Sequence, residues 1–196
     1  SVTYAGLGDG VTLMTPPLTQ ATEITGPIAA KLWVSSSTRD ADLFLIVRAF
    51  DPNMKEVVFQ GALDPNTPIA QGWLRVSHRK LDPKLSLPHR PYHTHDEEQP
   101  MQPGTVYEVD VEVWPTCIVL PKGYRLALTV RGKDYVYPGG PSKGLETLGT
   151  QWHGCGPFVH NDPRDRPADV FGGDVTLYSG PKHQAHLLLP IIPTQP

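Results

Sequence analysis

Tyr107-Glu108-Val109-Asp110-Val111-Glu112-Val113 alternates without exception. Tyr107, Val109, Val111 and Val113 fall on one side of an extended chain, and Glu108, Asp110 and Glu112 on the other. A strand points successive side chains to opposite faces, so the stretch predicts a half-buried strand, apolar inside and acidic outside. Trp114-Pro115 follows, and proline has no N–H for a ladder, so the strand is expected to end there. Cys117 to Leu120 is a short apolar run and Pro121-Lys122-Gly123 a turn. Alternation then resumes, with Leu126, Leu128 and Val130 facing in and Arg125, Thr129 and Arg131 facing out. Two such strands joined by a proline-bounded arch are a core unit of an all-β sandwich.

The flanking chain extends the pattern. Residues 1–10 are small, polar and glycine-rich and read as a linker or frayed end, leaving residues 11–196 as a single sandwich domain. Val11 to Met14 is a short strand before Pro16-Pro17. Ile28, Ala30, Leu32 and Val34 alternate against Ala29, Lys31 and Trp33. Leu43 to Phe50 is apolar on both sides; its length admits a helix, but Phe, Ile, Val and the flanking turns favour a strand covered on both faces. Asp51-Pro52-Asn53 turns the chain into Glu56–Gln60, a hairpin partner, and Trp73–His78 is a further strand. Residues 79–103, rich in proline, histidine and charge, predict an ordered excursion across the surface. Lys133 to Pro167 is a second long loop, and Asp174–Tyr178 and Ala185–Ile191 close the fold. About eight to ten strands with long crossing connections are what a jelly roll requires.

Composition agrees. The 18 glycines and 22 prolines among 196 residues break helices and suit short strands with many turns. A net charge of −3 carries no basic footprint for nucleic acid. No apolar run reaches the roughly 20 residues of a membrane span, and no signal-peptide pattern opens the chain. Cys117, in an apolar run, reads as a buried thiol, and Cys155 lies in a glycine-rich loop. A bridge between them stays open, but two cysteines are not a disulfide scaffold, which favours a reducing, cytoplasmic compartment.

Five constellations bear on chemistry. Gly140-Pro141-Ser142-Lys143-Gly144 matches G-x-S-x-G. The nucleophile elbow works only where a strand drives the serine onto a strained turn that opens a helix, and here it lies in a proline- and glycine-rich loop. His89, His93, His95 and Asp96 form the densest group of metal-ligand types. On a strand His93 and His95 would share a face, yet no third ligand is set by spacing, so a structural loop is expected. His153, Cys155 and His160 match no zinc-finger spacing. In Asp162-Pro163-Arg164-Asp165-Arg166-Pro167 the expectation is a rigid turn of paired aspartates and arginines, rather than anion recognition by Arg164 and Arg166. Of the tryptophans at 33, 73, 114 and 152, the first three lie in or beside strands; burial in the sandwich or against a partner outweighs a sugar platform. No catalytic, cofactor-binding or metal residue is assigned, and no cofactor is expected.

Nine segments in order carry a resemblance. They are Thr15-Pro16-Pro17-Leu18, Glu23-Ile24-Thr25-Gly26-Pro27, Leu32-Trp33-Val34-Ser35-Ser36, Gly72-Trp73-Leu74-Arg75-Val76-Ser77-His78-Arg79 and Pro91-Tyr92-His93, then Val113-Trp114-Pro115-Thr116, Lys122-Gly123-Tyr124-Arg125-Leu126, His160-Asn161-Asp162-Pro163 and Leu187-Leu188-Leu189-Pro190. From about Val11 to Pro193 the chain resembles the C-terminal domain of CocE/NonD hydrolases, related to X-Pro dipeptidyl-peptidases and cocaine esterase. The resemblance implies a galactose-binding-like jelly roll following an α/β-hydrolase domain that holds a Ser-His-Asp triad and a helical cap. No triad position maps onto this sequence, so the expectation is a non-catalytic C-terminal fragment of a larger hydrolase. Its expected partner is that catalytic domain, with a homo-oligomer as a further possibility. The rival expectation is a free-standing carbohydrate-binding β-sandwich module.

Overall fold

The computed structural model describes residues 1–61, 64–138, 154–156 and 159–193. In chain order its strands are β1 (Val2–Ala5), β2 (Val11–Met14), β3 (Thr22–Ser36), β4 (Asp42–Phe50), β5 (Glu56–Val57), β6 (Ala70–Arg75), β7 (Tyr107–Leu120), β8 (Arg125–Arg131), β9 (Asp174–Tyr178), β10 (His186–Leu188) and β11 (Ile191–Ile192). One short helix, α1 (Ala168–Phe171), and a 3-10 turn at Val76–His78 complete the regular structure of the described residues. Strands β1, β3, β7, β9, β10 and β11 form one antiparallel sheet, and β2, β4, β5, β6 and β8 the other. The chain crosses between sheets from β1 to β2, β2 to β3, β3 to β4, β6 to β7, β7 to β8 and β8 to β9, giving the two-layer sandwich with crossing connections expected from the pattern.

β3 organises the first sheet. β7 pairs with it from Thr22↔Leu120 to Val34↔Tyr107, while β11, β10 and β9 share its other edge. The inward residues of the alternating stretch are core: Val109, Val111 and Val113 pack with Ile28, Ala30, Leu32 and Val34, and across the sandwich with Leu43, Leu45, Val47, Leu126 and Val130. Each such fully buried aliphatic side chain stabilises the fold by about 1.5–3 kcal/mol. The outward Glu108 and Asp110 both pair with Lys31 on β3.

Trp114-Pro115 does not end the strand, contrary to expectation; β7 runs on to Leu120. Two features remove proline's penalty. β7 pairs only with β3 among the described residues, so it is an edge strand. The register also slips between Gly26 and Ile28, and this bulge faces Trp114-Pro115. Gly26 holds φ 135° there, a conformation that favours glycine.

β4 is a strand buried on both faces. Leu43, Leu45, Val47 and Ala49 enter the core, while Phe44, Ile46 and Phe50 are buried outside it. The second long connection supplies the outer cover: Arg166 lies over the Phe44 ring and Tyr135 beside Arg48. Thr129 and Arg131 of β8, which alternation alone places in solvent, are buried as well: Thr129 meets Thr12 of β2 and Arg48 of β4, and Arg131 pairs with Asp9.

Residues 1–10 are not a frayed linker. β1 pairs with β9, Gly6 N–H donates to Gly173 O at 2.6 Å, Gly132 N–H to Gly8 O at 3.1 Å, and Asp9 pairs with the buried Arg131. Their small residues permit backbone-to-backbone packing rather than disorder. Residues 79–103 are the expected ordered excursion, tied down by Gln99 N–H to Ser77 O and Met101 N–H to Arg39 O, both 2.7 Å.

Candidate functional site

The two sheets meet edge to edge where β6 crosses β7. A Cβ on Gly72 would stand 2.2 Å from Glu112 O and 2.9 Å from Val113 Cα, so only glycine permits this approach. The contact opens a cleft of about 400 Å³ on the outer side, lined by Trp73, Arg75 and His78 from β6 and its following turn, Glu112 and Trp114 from β7, and His93 and His95 from the excursion. The Trp73 and Trp114 rings meet edge to face at 5.0 Å, and Trp114 stays 51% exposed. His160 approaches Trp73 at 6.1 Å from the second long connection.

Histidines form the other end of the cleft. His93 Nε2 lies 3.0 Å from Asp110 O, and because a carbonyl only accepts, Nε2 carries the hydrogen. Burial holds the His93 imidazole below its ordinary pKa, aided by His95 and His78 and opposed by the bond to Asp110 O. His95 sits at φ 52°, a left-handed conformation, on a turn pinned by Lys80–Asp96 at 3.0 Å, Lys80–Glu97 at 3.3 Å and Thr94–Asp96. Its Nδ1 lies 3.3 Å from Nδ1 of His78.

The histidine-rich segment is therefore split rather than gathered. His89 is exposed next to the Leu87↔Arg90 bridge, and Asp96 is taken by Lys80 and Thr94. Among the described residues no three His, Cys, Asp or Glu side chains form a metal set. His78 is the member that sequence spacing missed, because the excursion brings it to His95.

The remaining candidates resolve individually. Ser142 and its G-x-S-x-G, with Trp152 and His153, lie outside the described residues. Cys155 and Cys117 are both free thiols, and Cys117 is exposed rather than buried, since its side chain leaves the edge strand beside Thr25. Burial, then Asp134 and Asp64, push the Cys155 thiol up to about 11, which favours its protonated form at neutral pH. His160 Nδ1 pairs with Asp134 Oδ1 at 2.9 Å. Within the charged proline turn Arg164 binds Asp162, while Asp165 and the buried Arg166 find their partners outside it, in Arg75 of β6 and Asp42 of β4.

Residues 4–187 match the family described as the X-Pro dipeptidyl-peptidase C-terminal non-catalytic domain. The chain belongs to that family. Its domain is similar in structure to a CocE/NonD family hydrolase of Staphylococcus aureus, with TM-score 0.76 and 27% identity over 97% of this chain and 32% of the hydrolase. A fold likeness extends to an α-amino acid ester hydrolase, with TM-score 0.62, 15% identity and coverage of 95% of this chain and 26% of that one. In sequence, a Mycobacterium bovis protein named as a serine esterase is 24% identical over 63% of this chain and 19% of its own length. The chain thus spans about a third of the hydrolase and a fifth of the esterase it matches. Among its described residues no helix is long and apolar enough to cross a membrane.

Proposed function

We propose that this chain is the accessory domain of a CocE/NonD-type serine hydrolase acting on esters or X-Pro peptide amides, with catalysis carried by an α/β-hydrolase domain of the same parent. In this reading it braces that domain and walls part of its substrate entrance. The observation that carries it is the family match over residues 4–187, joined to a likeness to only 32% of a CocE/NonD hydrolase. The tryptophan end of the cleft is the docking patch: Trp114 presents half of its large apolar surface from an edge strand, and aromatic side chains dominate the centres of protein interfaces. The two free thiols favour a reducing, cytoplasmic setting.

The test combines binding and turnover. The chain, purified alone, is assayed on a nitrophenyl ester beside Ser142→Ala, and then mixed with a separately expressed catalytic half of a CocE/NonD hydrolase. Background turnover alone and an association weakened by Trp114→Ala are expected. Turnover by the chain that disappears in Ser142→Ala sinks the accessory reading.

The Trp73–Trp114 cleft also supports the rival carbohydrate-binding module, because an exposed indole face beside Arg75 and Glu112 offers stacking and hydrogen bonds to a sugar. Retention on a polysaccharide column, lost in Trp114→Ala, selects that reading.

A further inference from the structure

We infer that His78 and His95 form a two-histidine site for a divalent transition ion such as Zn²⁺ or Cu²⁺, held between their facing Nδ1 atoms. The separation is the first ground. Two nitrogens bound at about 2.0–2.1 Å with a tetrahedral angle at the metal stand about 3.3 Å apart. The two Nδ1 atoms are 3.3 Å apart. At that separation one ring's Nδ1–H donates to the other ring's Nδ1, so the ion takes the place of the proton the two rings share. The rings also lie as two ligands should, tilted by 39° with centroids 5.4 Å apart rather than stacked flat.

The backbone is the second ground. His95 adopts φ 52°, which costs energy for a residue other than glycine, and such strain concentrates where a side chain is aimed for a purpose. The turn is fastened from both sides by Thr94 and Lys80 to Asp96, so the imidazole is presented before any ion arrives. His78 is fixed independently, at the end of the 3-10 turn that follows β6.

The donor set decides the class of ion. Imidazole nitrogens suit zinc, copper and nickel rather than calcium or magnesium. His93 is not a ligand through Nε2, which donates to Asp110 O. With no third side chain converging among the described residues, water completes the coordination and the site stays open to an incoming group. Glu112, lining the same cleft, offsets the ion's charge. Binding requires both facing nitrogens to be unprotonated, so acid releases the ion.

The experiment uses the full chain without an affinity tag, stripped with chelator and then equilibrated with ZnCl₂ or CuCl₂. The expected result is one ion bound per chain, with nitrogen hyperfine structure from two imidazoles in the Cu²⁺ paramagnetic resonance spectrum. His95→Asn keeps a residue that tolerates the left-handed conformation, so the turn survives while the ligand is lost. That variant and His78→Gln should each bind roughly tenfold or more weakly. Their thermal unfolding in chelator should match wild type, which separates ligand loss from misfolding. No saturable binding by the wild type, or binding equally tight in both variants, overturns the site. Neither result bears on docking to a catalytic domain.

Discussion

Arg166 donates its Nε–H to Asp42 Oδ2 at 2.7 Å, tying the second long connection to the first residue of β4. Arg75 grips the same carboxylate with Nε and Nη2 at 2.9 and 3.0 Å, and reaches on to Asp165. Arg166 also donates to His160 O and Gly132 O, and its guanidinium lies 4.9 Å from the centre of the Phe44 ring. One buried carboxylate thus holds the flap that covers the outer face of the second sheet.

Asp42→Ala should therefore destabilise strongly. Asp42 and Arg166 are both buried, and removing one partner leaves the other charge uncompensated, at a cost of about 3–5 kcal/mol. Urea unfolding followed by tryptophan emission measures it. The double change Asp42→Ala with Arg166→Met should recover part of the loss; a single-mutant cost under about 1 kcal/mol would place the pair effectively in water.

Gly72→Ala is expected to cost about 1–3 kcal/mol, because its Cβ meets the backbone of β7 rather than a side chain that can swing aside. Forcing β6 from β7 also parts Trp73 from Trp114. Near-ultraviolet circular dichroism should lose the signal of the coupled indoles. An unchanged spectrum at unchanged stability would refute the close approach.

Acid should weaken the fold through His93. Burial lowers its folded-state pKa below the ordinary 6.5. Between the two values the unfolded chain holds more protons, so stability falls as pH drops through about 6.5 towards the folded pKa and is independent of this group above that range. Asp110 opposes the shift, and His95 and His78 add to it. His93→Gln keeps a donor for Asp110 O and cannot titrate. Melting temperatures from pH 8 to 5 should decline less steeply in the variant, and parallel curves would dismiss His93 as the source.

The thiols should separate by rate. Cys117 is exposed, whereas Cys155 is half-buried with its thiol held near 11. Under native conditions at pH 8, iodoacetamide should modify Cys117 and largely spare Cys155, as peptide mass mapping would show. Faster labelling at Cys155 would contradict its partial burial.

Strand identity was legible in the sequence because a two-residue period directly records which side of a strand is dry. Val109, Val111 and Val113 against Glu108, Asp110 and Glu112 needed no further information. Leu43–Phe50, lacking that period, correctly implied cover on both faces. Period carries no record of what covers a face. Thr129 and Arg131 read as solvent-facing because the groups that meet them, Thr12, Arg48 and Asp9, lie far away along the chain and leave no mark on the local period. Pro115 read as a strand end because proline's missing donor is local, while the bulge opposite and the open edge are properties of the sheet.

The cleft lay beyond the sequence for the same reason. Trp73 and Trp114 belong to strands in different sheets, and only the missing side chain of Gly72 lets those edges touch. His93 and His95 looked like a pair because they are neighbours along the chain. The left-handed turn at His95 separates their roles, giving His93 to the Asp110 carbonyl and His95 to His78. The sequence by itself determined the sandwich and its family, through local alternation and ordered segments. The tertiary structure alone decided which side chains meet, because that depends on where long connections without periodicity come to rest.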